Sequence, residues 1–204
     1  MADRQQIRVL VTGGTGQLGL SLKKTQPESF SVSYAAKATL NIEDSDTVET
    51  YVKNNKPNVI INAAAYTKVD LAEKEKDAAF AANEKAVANL AQAAKKHGAF
   101  LVHISTDFLF HGSFNRPIDE NQMVQPIGIY AQSKAAGERA VAESGAPAAI
   151  VRTSWLYSEF NANFMKTMLR LGKEKSELRV IADQHGSPTY AVDLARALWQ
   201  LVSA

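Results

Sequence analysis

Residues 7–11 form a short apolar run that leads without a break into Thr12-Gly13-Gly14-Thr15-Gly16-Gln17-Leu18-Gly19. A strand that ends in so many glycines before a helix is tightly constrained. The missing side chains serve a sharp turn, a close backbone approach and close packing of helix on strand. Gly14, Gly16 and Gly19 fit the spacing GxGxxG, while Gly13, Gly16 and Gly19 fit GxxGxxG. Both spacings belong to turns that receive a pyrophosphate on the free amides and positive dipole end of the next helix. At the first strand-to-helix junction of an alternating chain, this turn predicts a dinucleotide site rather than a bare bend.

The rest of the chain keeps that alternation. Apolar runs at 7–11, 30–34, 59–62, 100–105, 148–152 and 178–181 read as strands, and stretches of helical periodicity fill most of the intervals. The pattern predicts an α/β fold, a doubly wound parallel sheet of the Rossmann type with helices on both faces. Phe80, Val87, Leu90, Ala91 and Ala94 mark one apolar face of a long helix, and His97-Gly98 supplies its stop. From 108 to 129 the rhythm breaks, with Gly112, Pro117, Pro126 and Gly128 in a segment expected to be a long loop over a site. There is no repeat or linker, so residues 1–204 are read as a single NAD(P)-binding domain.

Composition removes several function classes. The 23 basic and 21 acidic residues leave a net charge of only +2, which gives no concentrated basic face for nucleic acid. With no cysteine there is neither a disulfide framework nor a thiolate metal site, and His97, His103, His111 and His185 lack the close pairing of a metal helix. No metal is expected. Residues 1–6 are too polar for the apolar region of a signal peptide, and no apolar run approaches the length of a membrane span. The expectation is a soluble cytoplasmic protein with no membrane partner.

The second strand leads into Tyr34-Ala35-Ala36-Lys37, without the acid that holds the adenosine ribose in NAD-specific proteins. Lys37 is placed to meet a 2′-phosphate, so NADP(H) or dual use with NAD(H) is expected over strict NAD, the alternative being a merely solvated lysine. Further on, Tyr130 and Lys134 stand four residues apart at the start of a helix, hence on one face. A carbonyl that accepts hydride needs a proton on its oxygen, and a free phenol titrates near a pKa of about 10. A cation lowers that value, so Lys134 is expected to bring Tyr130 down while bonding cofactor ribose hydroxyls. YxxxK alone also fits an ordinary amphipathic helix; downstream of a dinucleotide turn it reads as a catalytic pair. Ser105-Thr106-Asp107 ends the fourth strand, at the sheet edge where ligands bind. There Thr106 is read as bonding the reacting oxygen and Asp107 as orienting a substrate hydroxyl, unless the cluster is only a turn cap. Asn62-Ala63-Ala64-Ala65 ends the third strand with side chains small enough for a cofactor to approach.

Together these residues resemble the dTDP-4-dehydrorhamnose reductases, an extended short-chain dehydrogenase family. The resemblance is carried by TGGTGQLG at 12–19, NAAAYTKVDLAE at 62–73, HISTDFLF at 103–110, YAQSKAAGE at 130–138, RTSWLY at 152–157 and DQHGSPTYAVDLA at 183–195. It implies reduction of the 4-keto group of a dTDP-linked 6-deoxyhexose by NADPH or NADH, the last step toward dTDP-L-rhamnose. It places Gly16, Gln17 and Leu18 at the pyrophosphate, Asn41 and Ile42 at the adenine, and Ala65, Tyr66 and Thr67 at the nicotinamide half. Thr106 and Asp107 would meet the sugar, Trp155 would pack on the hexose, and Gln184, Gly186, Pro188 and Thr189 would lie near it.

The chain departs from the family at Phe108, often tyrosine, at His111, usually aspartate, and at Asn41, commonly aspartate. Family members also continue past the helix at 189–202. The substrate lobe here is therefore expected to be incomplete or to come from 108–128 and 153–190. Homodimers are common in the family. Two alternatives stay open: a non-catalytic NAD(P)-binding regulatory subunit, such as that of methionine adenosyltransferase, and a different nucleotide-sugar epimerase or reductase.

Overall fold

Five of the apolar runs pair into one parallel sheet: β1 (Ile7–Thr12), β2 (Phe30–Ala35), β3 (Val59–Asn62), β4 (Phe100–Thr106) and β5 (Ala148–Thr153), in the order β2-β1-β3-β4-β5. The computed structural model describes residues 6–112 and 116–203. Residues 1–5, 113–115 and 204, and with them most of the N-terminal stretch and part of the 108–128 loop, lie outside the described residues. β3 is buried along its whole length, as a strand covered on both faces of a parallel sheet must be, which is why it is a run of Val-Ile-Ile. The chain leaves β1 toward β2 on one side and returns to β3 on the other, so the order reverses at β1 and a crevice opens beyond the strand ends.

Between the strands lie α1 (Gln17–Lys24), α2 (Ser45–Asn55), α3 (Val69–Ala72), α4 (Lys76–Phe80) and α5 (Ala86–His97), then α6 (Gly128–Ser144), α7 (Phe164–Glu174) and α8 (Ala191–Leu201). Alternate strand residues serve opposite faces. Leu10, Ile60 and Leu101 join Val48 and Val52 of α2, Leu90 of α5 and Val141 of α6 in one core. Val9, Ile61 and Val102 join Leu18 and Leu22 of α1 and Leu198 and Trp199 of α8 in the other. The helical run from 76 to 97 is interrupted by a π-helix at Ala81–Lys85, which the sequence reading did not foresee. Its stop is as expected: Gly98 adopts the left-handed conformation at φ 69° and its amide bonds Ala94 O.

The strand expected at 178–181 is not there. Val180 and Ile181 are exposed, at 52% and 71%, in irregular backbone. Their β-branched character resembles a strand, but a strand needs a partner, and among the described residues β5 pairs only with β4. What forms instead is a short two-stranded parallel sheet, β6 (Leu156–Tyr157) with β7 (Thr189–Tyr190), closed by stacked Tyr157 and Tyr190.

α8 is anchored by Trp199, whose ring lies 5.3 Å from that of Phe30 and whose indole N–H reaches Leu22 O and Thr25 Oγ1 at 3.3 and 3.1 Å. Trp199→Ala is expected to destabilise the fold by about 3 to 5 kcal/mol in urea titration. A loss below about 1 kcal/mol would mean that α8 does not close this face.

Candidate active site

The turn between β1 and α1 is built by contact between backbones. Gly13 has φ 69°, and a Cβ there would stand 2.7 Å from Ala64 N. A Cβ on Gly19 would run into Gly13 O. Hydrogen bonds from Gly16 N to Gly13 O at 2.9 Å and from Gly14 N to Ala35 O at 3.0 Å fix the loop. α1 then begins with no side-chain cap and no acidic residue in its first turn, so its leading amides are left for an anion.

Beyond this turn opens a cleft of about 410 Å³. It brings Gly16, Gln17 and Leu18 together with Ala65 and Thr67 from the segment after β3. Thr106, Tyr130, Lys134 and Trp155 line it as well. The Gln17 side chain turns to the 156–163 segment, accepting from Ser158 Oγ at 2.9 Å and Asn163 Nδ2 at 3.0 Å, which leaves its backbone amide as the group suited to a phosphate. Trp155 holds a left-handed φ of 46°, uncommon without glycine. Its indole lies against Gly186, where a Cβ would be 2.7 Å from the ring.

Other expected residues sit elsewhere. Asp107 borders a neighbouring groove with Arg152 and Glu120, although it still accepts from Thr106 Oγ1 at 3.3 Å. The Tyr66 hydroxyl donates to Glu75 at 2.8 Å. Asn41 accepts from Glu43 N at 3.3 Å, and the Ile42 side chain is packed into the α2 and α5 core. Lys37 pairs with Glu43 at 2.7 Å on an open surface. Two hydroxyls were given no role: those of Ser105, placed at the sheet edge by its cluster, and of Thr153, which line the cleft and are buried with no hydrogen-bond partner among the described residues. A threonine inside a strand, such as Thr153, carries no spacing that could have marked it.

Lys134 is buried to 2% exposure, and its ammonium donates to Ile104 O at 2.7 Å. Burial lowers its pKa from 10.5 to about 8, against the opposing pull of Glu138. α6 is tied to β5 where Arg152 grips Glu138 with a two-pronged pair at 2.9 and 2.7 Å. The Tyr130 phenol does not behave as the spacing implied. Burial raises its pKa, the Thr106 hydroxyl opposes this, and the Asp107 carboxylate adds to it. Lowering by Lys134 is overturned here because desolvation disfavours the phenolate more than any neighbour favours it. Burial also raises the Asp107 carboxyl, opposed by its bond from Thr106.

The family described as RmlD substrate binding domain matches residues 7–204 of this chain. The chain belongs to it. It is 43% identical over 196 residues to the dTDP-4-dehydrorhamnose reductase of Aggregatibacter actinomycetemcomitans, covering 95% of this chain and 67% of that one. It is 41% identical to the spore coat polysaccharide biosynthesis protein SpsK of Bacillus subtilis, covering 96% and 70%. The Bacillus anthracis dTDP-4-dehydrorhamnose reductase, solved in complex with NADP, superposes with a TM-score of 0.96 at 45% identity, over 98% of this chain and 72% of that one. Against the Burkholderia thailandensis reductase the share of the longer chain is 63%, so this chain spans about two thirds of its curated relatives. Among the described residues no group of three or more metal-ligating side chains assembles, and no helix is long and apolar enough to cross a membrane.

Burial of Lys134 has a stability consequence. The amine is charged up to about 8 when folded and to its ordinary 10.5 when unfolded, so between those values the unfolded chain holds the extra proton and stability rises with pH. Lys134→Met is expected to stabilise the fold by about 1 to 3 kcal/mol at pH 7, a gain that fades as pH climbs through that window. Chemical denaturation at several pH values reads this, and an unchanged or lower stability at pH 7 would contradict it.

Proposed function

We propose that this protein is an NADPH- or NADH-dependent reductase of the 4-keto group of a nucleotide-linked deoxysugar, converting dTDP-4-dehydro-L-rhamnose to dTDP-L-rhamnose. The observation that carries this reading is one cleft holding a phenol, a hydroxyl and a buried ammonium opposite an uncapped helix N-terminus. The turn fits a dinucleotide, since its glycines leave a cradle that side chains would fill. A protein that only binds a cofactor has no chemical need for Thr106, Tyr130 and Lys134 in one place.

When bound, the reduced nicotinamide supplies the hydride. Tyr130 then gives its proton to the carbonyl oxygen, and a raised pKa suits a donor because the phenol stays protonated across the neutral range. Thr106 bonds the same oxygen. Lys134 uses one donor on Ile104 O and has others for ribose hydroxyls and for the phenolate left behind. Gly13, Gly16, Gln17 and Leu18 hold the pyrophosphate, Asn41 and Ile42 the adenine, and Ala65, Tyr66 and Thr67 the nicotinamide half. Asp107 orients a sugar hydroxyl, and the half-exposed Trp155 offers an aromatic face to the hexose. The Lys37–Glu43 pair is exposed, worth at most about 1 kcal/mol, and yields readily to a 2′-phosphate.

Tyr130→Phe should leave NADPH affinity within about twofold and cut kcat by about 10² to 10⁴. Titration of cofactor fluorescence and the loss of reduced-cofactor absorbance with the keto-sugar nucleotide measure the two, and undiminished turnover would remove Tyr130 from the mechanism. The reading includes work in the cytoplasm; it also includes pairing of two copies, for which exposed Met123, Ile127, Phe164 and Ile181 supply apolar surface. Sedimentation at twice 22.2 kDa would bear out the pair, and a single species at 22.2 kDa would remove it.

A further inference from the structure

Gln17 opens α1 with its backbone amide at the pyrophosphate turn, yet its side chain reaches away from the turn, across to the 156–163 segment. We infer that this side chain is a positioning group that couples the cofactor site to the sugar site. Gln17, Ser158 and Asn163 clasp the chain between Trp155 and α7 to the dinucleotide turn, so that an occupied turn orders the face offered to the hexose. The inference rests on the reductase reading above and deepens it.

The Gln17 side-chain oxygen has two lone pairs and both are taken, by Ser158 Oγ at 2.9 Å and by Asn163 Nδ2 at 3.0 Å. These orientations are not free. Asn163 Oδ1 caps α7 by accepting from Lys166 N at 3.0 Å, which turns Nδ2 toward Gln17, and Nδ2 also donates to Ser158 O at 2.7 Å. Ser158 is fully buried, and its single hydroxyl hydrogen goes to Gln17 rather than to Phe160 O, which is farther at 3.2 Å. Beside the clasp, Asn161 Nδ2 donates to Thr15 O at 2.9 Å and Lys24 pairs with Glu159, but both ties lie at exposed positions where water competes. Gln17 therefore carries the sheltered part of the contact. Asn161 and Ala162 line the cleft together with Gly16, so the clasped segment borders the space for the pyrophosphate. Trp155 stands three residues before Ser158 in a left-handed backbone that needs support from its surroundings, and what holds 156–163 also holds the indole.

A glutamine here could also serve stability alone, and two readouts separate the cases. Gln17→Met keeps the length of the side chain and removes the clasp. In hydrogen exchange, saturating NADPH should slow the amides of 158–163 by about fivefold or more in the wild-type protein and leave them unslowed in Gln17→Met, while the first amides of α1 gain protection in both. In turnover, Gln17→Met should raise the KM for the keto-sugar nucleotide about tenfold with a smaller loss of kcat, because Trp155 packs on a part of the sugar that does not react. Ser158→Ala leaves Asn163 in place and should move both readouts in the same direction by less. Equal NADPH protection of 158–163 in wild type and Gln17→Met, no such protection in wild type, or a lowered Tm with unaltered KM would overturn the inference. If Gln17→Met does not fold, Ser158→Ala decides by the same two readouts. If the wild-type protein turns over no keto-sugar nucleotide, the reductase reading falls by itself, and the exchange measurement, which needs only NADPH, decides the clasp.

Discussion

The backbone of the first turn touches the backbone that follows β3, and the rest of the site is measured from that contact. Gly13 lies so close to Ala63 and Ala64 that no side chain fits between them. This sets the width of the crevice at the point where strand order reverses. The first amides of α1 and the residues after β3 then face one space, and α6 closes it from the next strand over. A larger residue at 13 would do more than strain a turn, because it would wedge apart the two strand ends that form the floor.

A row of polar groups beneath that floor keeps the strand ends level. Thr12, Asn62 and His103 are register partners across β1, β3 and β4. Thr12 donates to Asn62 Oδ1 at 2.6 Å, Ala64 N donates to the same oxygen at 3.2 Å, and Asn62 Nδ2 lies 3.1 Å from His103 Nδ1. Asn62 can only donate to that ring nitrogen, so the imidazole is neutral with its proton on Nε2. Burial, with the positive charge of Lys134, pushes its pKa down to about 3 and keeps it neutral. A slip of one residue would bury these groups without partners, so the row penalises any other register.

The features that could be read from the chain were local ones. Glycine spacing at 13–19 and apolar periodicity over 80–94 each report on a few neighbouring residues, and both became the turn and helix they implied. The grouping of Thr106, Tyr130, Lys134 and Trp155 was legible because Thr106 ends β4, Trp155 follows β5, and Tyr130 and Lys134 share one helix face in the chain between them. What was not legible depends on distant partners. Residues 178–181 have the composition of a strand but lie against no strand they could pair with. The spacing of Tyr130 and Lys134 showed that they share a face but not how dry that face is, and dryness decides the direction of the phenol's shift. Asn83 looks like any polar residue in a helix until the π-helix turns it toward groups 17 and 50 residues away.

Trp155 and Gly186 form a pair whose two halves are not independent. The tryptophan is held in a backbone region that costs about 1 to 3 kcal/mol, and it stays there with its indole laid over a residue that has no side chain. A glycine at 155 would relieve the backbone and lose the aromatic face, whereas any side chain at 186 would displace the ring. Neither position can drift alone, so across diverging relatives the two should be inherited as a unit, and the rim they build should change only in steps that alter both.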